Sequence, residues 1–198
     1  MQAESSRRSN PQRSAEMRAR LLAAARRLFA EKGYAGTSTP EIVAAADATR
    51  GALYHHFSDK QALFRAVVED EAAAVAADIE ADSAGLQSAR DALLAGAKAY
   101  LAAMQAPGRT RLLLVEGPSV LGRDEMDVLD AQHAARTLRD GLAAAAASGE
   151  IDQFPQEALA LLLSALFDRA ALAIKGGHDH ADLLRVIEAI LKGLGPAT

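Results

Sequence analysis

Apolar residues recur along this chain at intervals of three and four, separated by short polar or Gly/Pro-rich stretches. That is the period of helices packed by one face. The first stripe, Leu21, Leu22, Ala25, Leu28 and Phe29, predicts a helix from near Ser14 to Lys32. Gly33 ends it as a C-cap, and Tyr34 is placed for the apolar contact that accompanies such caps. Two short segments follow. One turns Ile42 and Val43 inward, with Ala44 to Ala46 letting another backbone approach, and the next turns Leu53 and Phe57 inward. From Asp59 a long helix continues through Leu63, Phe64, Val67, Val68, Val75 and Ile79 to a break near Gly85. Later helices are predicted over about 88–105, 109–116, 123–147, 156–175 and 181–194. The breaks fall at Pro107-Gly108, Gly117-Pro118, Gly149 to Pro155 and Gly176-Gly177. The expected fold class is all-α, with about nine helices in total and few strand signals.

The last two helices differ from the others. In 158–174 only Ser164, Asp168 and Arg169 interrupt an apolar circumference, and the final helix carries seven large aliphatics from Leu183 to Leu194. A helix apolar almost all round must be buried on more than one side. Either it is central to a monomer core, or the pair packs against a two-fold copy as a four-helix bundle. The second is the expectation here, with a homodimer through about 156–175 and 181–194.

Composition narrows the classes. With 198 residues, half of them hydrophobic, the chain can bury a core as one large or two small domains. There is no cysteine, which excludes disulfides and thiol chemistry. No apolar run approaches the ~20 residues needed to span a bilayer, and the polar start lacks a signal-peptide core, so the cytoplasm is the expected location and no membrane partner is expected. Net charge is −4, yet residues 1–60 hold ten Lys/Arg against six Asp/Glu while the remainder holds twelve against twenty. A basic head beside an acidic body suits a nucleic-acid partner. Residues 1–12 read as a disordered basic arm, in which Arg7 and Arg8, with Arg13 just beyond, either add loose phosphate contacts or simply form a solvated tail.

The segment 39–57 carries the most specific chemistry. Thr39 with Pro40 and Glu41 is a helix start, Asp47-Ala48 a turn, and Thr49 a cap for the next helix; Ser58-x-x-Gln61 reads as a capping box opening the long helix. On the second short helix Leu53 and Phe57 share one side, with His56 near them, while Gly51, Tyr54 and His55 lie opposite and Arg50 at the flank. This is the layout of a helix-turn-helix, whose second helix enters the DNA major groove. Gly51 costs roughly 1 kcal/mol against Ala in a helix interior, which a close approach to a partner's backbone would explain.

Residues 18–64 resemble the DNA-binding region of the tetracycline-repressor (TetR) family of transcriptional regulators. The resemblance rests on A-R-R-L-F-A-E-K-G-Y-A-G-T-S (25–38), the helix-turn-helix and F-S-D-K-Q-A-L-F (57–64). Asp47 departs from the Gly usual in that family's turn. The resemblance implies an N-terminal three-helix DNA-binding domain (13–60) followed by a helical ligand-binding and dimerisation domain (61–198). It also implies a near-palindromic double-stranded operator and release by a small-molecule effector. Thr37, Thr39, Thr49, Arg50, Gly51, Tyr54, His55 and Lys60 are the candidate DNA-binding residues, with Arg50 suited to a guanine edge and Lys60 to a phosphate.

Tyr100 and Met104, four apart on one helix face, with Glu116, Met126, His133 and Phe167, are the candidate effector-lining residues; taken singly, each is more readily a core filler. No metal site or cofactor is expected: His178-Asp179-His180 sits in a Gly-rich turn and reads as a solvated loop. A constitutive DNA binder with a purely dimerising body is the alternative function. An all-helical enzyme using Asp168, His133 or Glu116 is a third, and no nucleophile constellation supports it.

Overall fold

A computed structural model describes residues 10–195, and all of its regular structure is helical. Arg7 and Arg8 lie outside those residues, as does most of the arm assigned to 1–12; residues 10–12 belong to the first helix. The chain forms two compact units, one reaching Val67 and the other starting at Val68.

The first unit contains α1 (Asn10–Lys32), α2 (Thr39–Ala45), α3 (Arg50–His56) and the start of α4 (Lys60–Ser83). Helix α1 begins four residues before the position its apolar stripe suggested; Pro11, Gln12 and Arg13 are exposed, so no apolar residue marks that turn. Gly33 ends it at φ 79°, and its N–H returns to the Phe29 carbonyl at 2.9 Å. Tyr34 then stacks on Phe29 and meets Phe64 edge-on, at 5.8 and 5.1 Å. Leu21, Ala25, Phe29, Ile42, Leu53, Leu63 and Phe64 are wholly buried and make the core on which α3 rests.

Three local expectations are corrected. The cap of α2 is Ser38, not Thr39: its hydroxyl accepts from the Glu41 N–H, and the Glu41 carboxylate accepts from the Ser38 N–H at 2.9 Å. Lys32, 2.7 Å away, together with Ser38, holds the Glu41 carboxyl down at about 2. Helix α4 is opened by Asp59, whose carboxylate accepts the Ala62 N–H at 2.7 Å, rather than by a Ser58–Gln61 box. Of the three alanines ending α2, only Ala46 is buried; Ala44 and Ala45 face outward. The turn that follows is a Schellman motif: Ala48 N–H reaches the Val43 carbonyl at 3.0 Å and Asp47 N–H the Ala44 carbonyl at 3.2 Å. Asp47 takes the left-handed position at φ 46°, the only non-glycine among the described residues to do so.

The second unit continues α4 and adds α5 (Ala89–Ala103), α6 (residues 109–121), α7 (Arg123–Gln132), α8 (Ala134–Ala147), α9 (Gln156–Lys175) and α10 (His180–Lys192). Helix α5 is the central element, packing against α8, α9 and α10. Leu93, Ala97, Leu101, Leu142, Leu163, Phe167, Ile187 and Leu191 fill this core.

Two predicted boundaries move. Gly117-Pro118 does not end α6; the helix widens into a π turn over Leu112–Glu116, so Gly117 N–H reaches back five residues to Leu112 and Pro118 enters where its missing N–H does no harm. The single helix expected over 123–147 is two, broken at His133 by a φ of −121° and ψ of −107°. On α9 and α10, Leu161, Leu162, Val186 and Ile190 are exposed, the first two by about 70%. Asp179 caps α10 through the Asp182 N–H at 2.9 Å, which gives the His178-Asp179-His180 stretch a structural role. Among the described residues no helix is long and apolar enough to cross a membrane.

Candidate nucleic-acid interface and effector cavity

Helix α3 presents the face its sequence suggested. Thr49 caps it, its hydroxyl accepting the Ala52 N–H at 3.1 Å, while Leu53 and Phe57 anchor it inward. Arg50, Gly51, Tyr54 and His55 all lie exposed, and the Arg50 guanidinium rests 5.5 Å over the Tyr54 ring. A Cβ built on Gly51 meets nothing closer than the Thr49 hydroxyl at 3.9 Å. No internal packing therefore requires glycine there, which leaves room for the close approach expected from the sequence. His56 is half-buried; burial first, then the neighbouring His55 and Arg18, push its pKa down, so it stays neutral near pH 7 and belongs to the packing.

Two of the candidate DNA contacts, Thr37 and Lys60, also hold the head together. Thr37 is 2% exposed, its hydroxyl 2.8 Å from the Gly33 carbonyl and 3.2 Å from that of Leu28. The Lys60 ammonium donates to the carbonyls of Tyr34 and Thr37 at 2.9 and 3.0 Å and lies 4.1 Å over the Tyr34 ring. Three donors with three partners leave that ammonium committed to the loop between α1 and α2. Thr39 is half-buried and lines, with Tyr54 and Gly36, a shallow open depression in front of the same loop.

The second unit holds two adjoining cavities. One, about 230 Å³, is lined by Leu93, Gly96, Tyr100 and Phe167; the other, about 330 Å³, by Met104, Leu113, Met126 and Leu172. Both share Tyr100, Asp130 and Asp168. Four of the six candidate effector residues thus line cavities, and two do not. Glu116 turns away to pair with Arg111 at 2.7 Å, and His133 serves the break between α7 and α8, its Nε2 buried without a hydrogen-bond partner.

Two carboxylates outside the effector-lining candidates, Asp130 and Asp168, stand between the cavities. Tyr100 donates its hydroxyl to Asp168 at 2.5 Å, and Ser164 donates to Asp130 at 3.3 Å. Burial pushes the Asp168 carboxyl up to about 6, with the Asp130 charge adding to it against the opposing pull of Tyr100 and Arg123. Asp130 is raised as well, chiefly by burial, and Tyr100 is driven well above its usual range by burial and by Asp168. Asp168 had a visible signal, a lone acid in an apolar helix; Asp130 lies in a polar stretch where nothing distinguishes it.

A helix-turn-helix on a small closed core, followed by a helical unit with cavities, is the architecture of a DNA-binding regulator. Residues 21–67 match the bacterial regulatory proteins of the tetR family, and residues 90–194 match the tetracyclin repressor-like C-terminal domain. The chain belongs to the TetR family of bacterial transcriptional regulators. A TetR-family transcriptional regulator from Pectobacterium atrosepticum is 32% identical, with a TM-score of 0.74 over 96% of this chain and 99% of that one. A tetR-family regulatory protein from Rhodococcus RHA1 is 26% identical, with a TM-score of 0.70 over 92% and 98%. The HTH-type transcriptional repressor AcnR of Corynebacterium diphtheriae is 40% identical over 76 residues, which is 38% of this chain and 40% of that protein. The chain thus matches under half the length of that curated relative.

Proposed function

We propose that this chain is a ligand-responsive repressor that binds a near-palindromic DNA operator as a homodimer and is released by a small molecule. The observation that carries the reading is the outward face of α3, where Arg50, Gly51, Tyr54 and His55 stand exposed on a helix fixed from behind by Leu53 and Phe57. A two-fold pair of such heads would read half-sites about 34–36 Å apart. The aliphatic surface of α9 and α10, with Leu161, Leu162, Val186 and Ile190 uncovered, supports pairing through those helices. The cavities around Tyr100 favour an effector over the constitutive alternative, since a body that only dimerised would need no such space. The cytoplasm is the compartment this function requires.

Selection of genomic fragments by the purified protein, followed by anisotropy titrations on the selected site and on scrambled DNA, tests the reading. A single symmetric motif bound at least a hundredfold more tightly than scrambled DNA is expected. Arg50→Ala should weaken the selected site by 1–3 kcal/mol, about 5- to 150-fold, with a much smaller effect on scrambled DNA. Equal affinity for all sequences would overturn the proposal, and unchanged binding by the Arg50 variant would overturn that residue's role.

A further inference from the structure

The two adjoining cavities are lined by five acids, Glu80, Asp127, Asp130, Asp140 and Asp168, against three arginines, Arg123, Arg136 and Arg169. Asp168 on α9 faces Tyr100 from α5, and Asp130 and Arg123 from α7. Asp130 faces Ser164 from α9, Asp127 from its own helix, and Arg139 and the Ala135 N–H from α8. Among the described residues neither carboxylate forms an ion pair, and each receives a single hydroxyl hydrogen bond from a side chain. At the rim, Arg136 is already held by Glu80 at 2.5 Å and Asp140 at 3.5 Å. Around this acid pair the walls are hydrocarbon and aromatic: Leu93, Phe167, Met104 and Met126.

Half-buried carboxylates that no cation pairs directly, with Arg123 and Arg139 acting only at longer range, cost stability because burial penalises the charged form. Here each keeps acceptor capacity beyond its one hydroxyl bond, in a space large enough for a small molecule. A ligand ammonium would supply the missing charge and the missing donors together.

Resting on the ligand-responsive reading above, we infer that the effector is an organic cation. It is an alkyl or arylalkyl ammonium whose nitrogen sits between Asp130 and Asp168 and whose hydrocarbon body lies against Tyr100, Phe167 and Leu93. Binding such a cation holds Asp168 ionised. Because that carboxyl titrates at about 6 in the free protein, the affinity climbs as pH rises from 5 to 7.5, while the amine, like a lysine, stays protonated throughout.

Calorimetry with three probes of one shape tests this: 4-phenylbutylammonium, 4-phenylbutanol and 4-phenylbutyrate, each titrated into the full chain. The ammonium should bind at pH 7.5 and weaken by roughly tenfold at pH 5, where about nine-tenths of a carboxyl titrating near 6 is protonated. The alcohol should bind more weakly, and by the same amount at both pH values. Asp168→Asn keeps an acceptor for Tyr100, and thermal melting will show whether it folds. It should lose at least about tenfold in ammonium affinity, together with the pH dependence, and leave the alcohol within about twofold. Asp130→Asn is the second variant, with the same expectation for the ammonium.

Equal or tighter binding of the alcohol or the carboxylate overturns the cation inference while leaving a ligand-responsive body in place. So does ammonium binding that neither variant alters, or no ammonium binding at millimolar concentration. Failure of the apo protein to bind any operator overturns the underlying regulatory reading instead, whatever the three probes do.

Discussion

Asp47 occupies the one position of the Schellman turn between α2 and α3 where a Cβ is unwelcome, so replacing it separates backbone strain from side-chain chemistry. At φ 46° an L-residue meets its own carbonyl, a penalty of about 1 kcal/mol for a short acid at the favourable end of the range. Asp47→Gly removes that penalty. It also gives the unfolded chain more freedom, which returns roughly 0.5 kcal/mol. Among the described residues the ion pair lost is to Arg20 at 3.8 Å, with the Asp47 side chain fully exposed, and such a pair contributes close to nothing in water.

The net expectation is stabilisation of about 0.5 kcal/mol. Asp47→Ala keeps the Cβ and discards the polar side chain that tolerates this region, so it should lie about 1–2 kcal/mol below the glycine variant. For a chain of this size that gap is roughly 2–8 °C in Tm, readable by circular dichroism melting. Affinity for DNA should rise by less than about threefold in the glycine variant, because one distant, screened charge is removed. An alanine variant that melts at or above the glycine variant would refute the argument that the left-handed backbone limits this turn.

The remaining expectations concern the other supports. Leu161→Glu with Leu162→Glu places two charges on the most exposed aliphatic patch of α9; light scattering should then find a monomer, and an unchanged dimer would move the interface elsewhere. Lys60→Met removes two hydrogen bonds to the Tyr34 and Thr37 carbonyls and should cost about 1–3 kcal/mol of stability in urea titrations; a stable variant that only loses DNA affinity would reinstate Lys60 as a phosphate contact. Glu150 accepts from the Ser88 hydroxyl and from the N–H groups of Arg90 and Ala89 at the start of α5, and these with Ser148 hold its carboxyl down at about 2. A depressed pKa means stability that is present above the unfolded value of 4.5 and lost as pH falls toward 2. Melting between pH 7 and 2.5 should therefore show Glu150→Gln less stable than the parent at neutral pH, the gap narrowing below 4.5.

How much was legible from sequence varies by element, for physical reasons. The stripe from Leu21 to Phe29 and the pair Leu53–Phe57 reveal α1 and α3 because a helix period needs only local spacing. The cap of α2 was misplaced by one residue because Ser38 and Thr39 both carry capping hydroxyls, and only the backbone decides which accepts. Gly117-Pro118 reads as a break, yet a π turn absorbs it; His133 carries no breaker signal, yet the chain kinks there. The lining of the cavities was half visible. Tyr100 and Met104 share a helix face in sequence, whereas Asp130 and Asp168 line the same cavities only because the fold brings α7 and α9 together, as the Ser164–Asp130 hydrogen bond shows. No local pattern encodes a meeting across 38 positions.

The same physics explains why the candidate DNA-contact residues divide as they do. A matching motif marks positions by residue type, and a hydroxyl or an ammonium suits a carbonyl as well as a phosphate. Burial separates the two uses. Thr37 and Lys60 join the end of α1, the following loop and the start of α4, so the core behind α3 is fastened by directional bonds as well as by Phe29, Leu53 and Phe64. Arg50, Tyr54 and His55 have no such duty and remain at the surface. A reading face held on a rigid support has less freedom to lose on binding. Changes at Thr37 or Lys60 should then weaken specific and non-specific DNA alike, through the folded fraction of the head. Changes at Arg50 should alter the ratio between them, because the proposed function gives that exposed guanidinium a base edge to read.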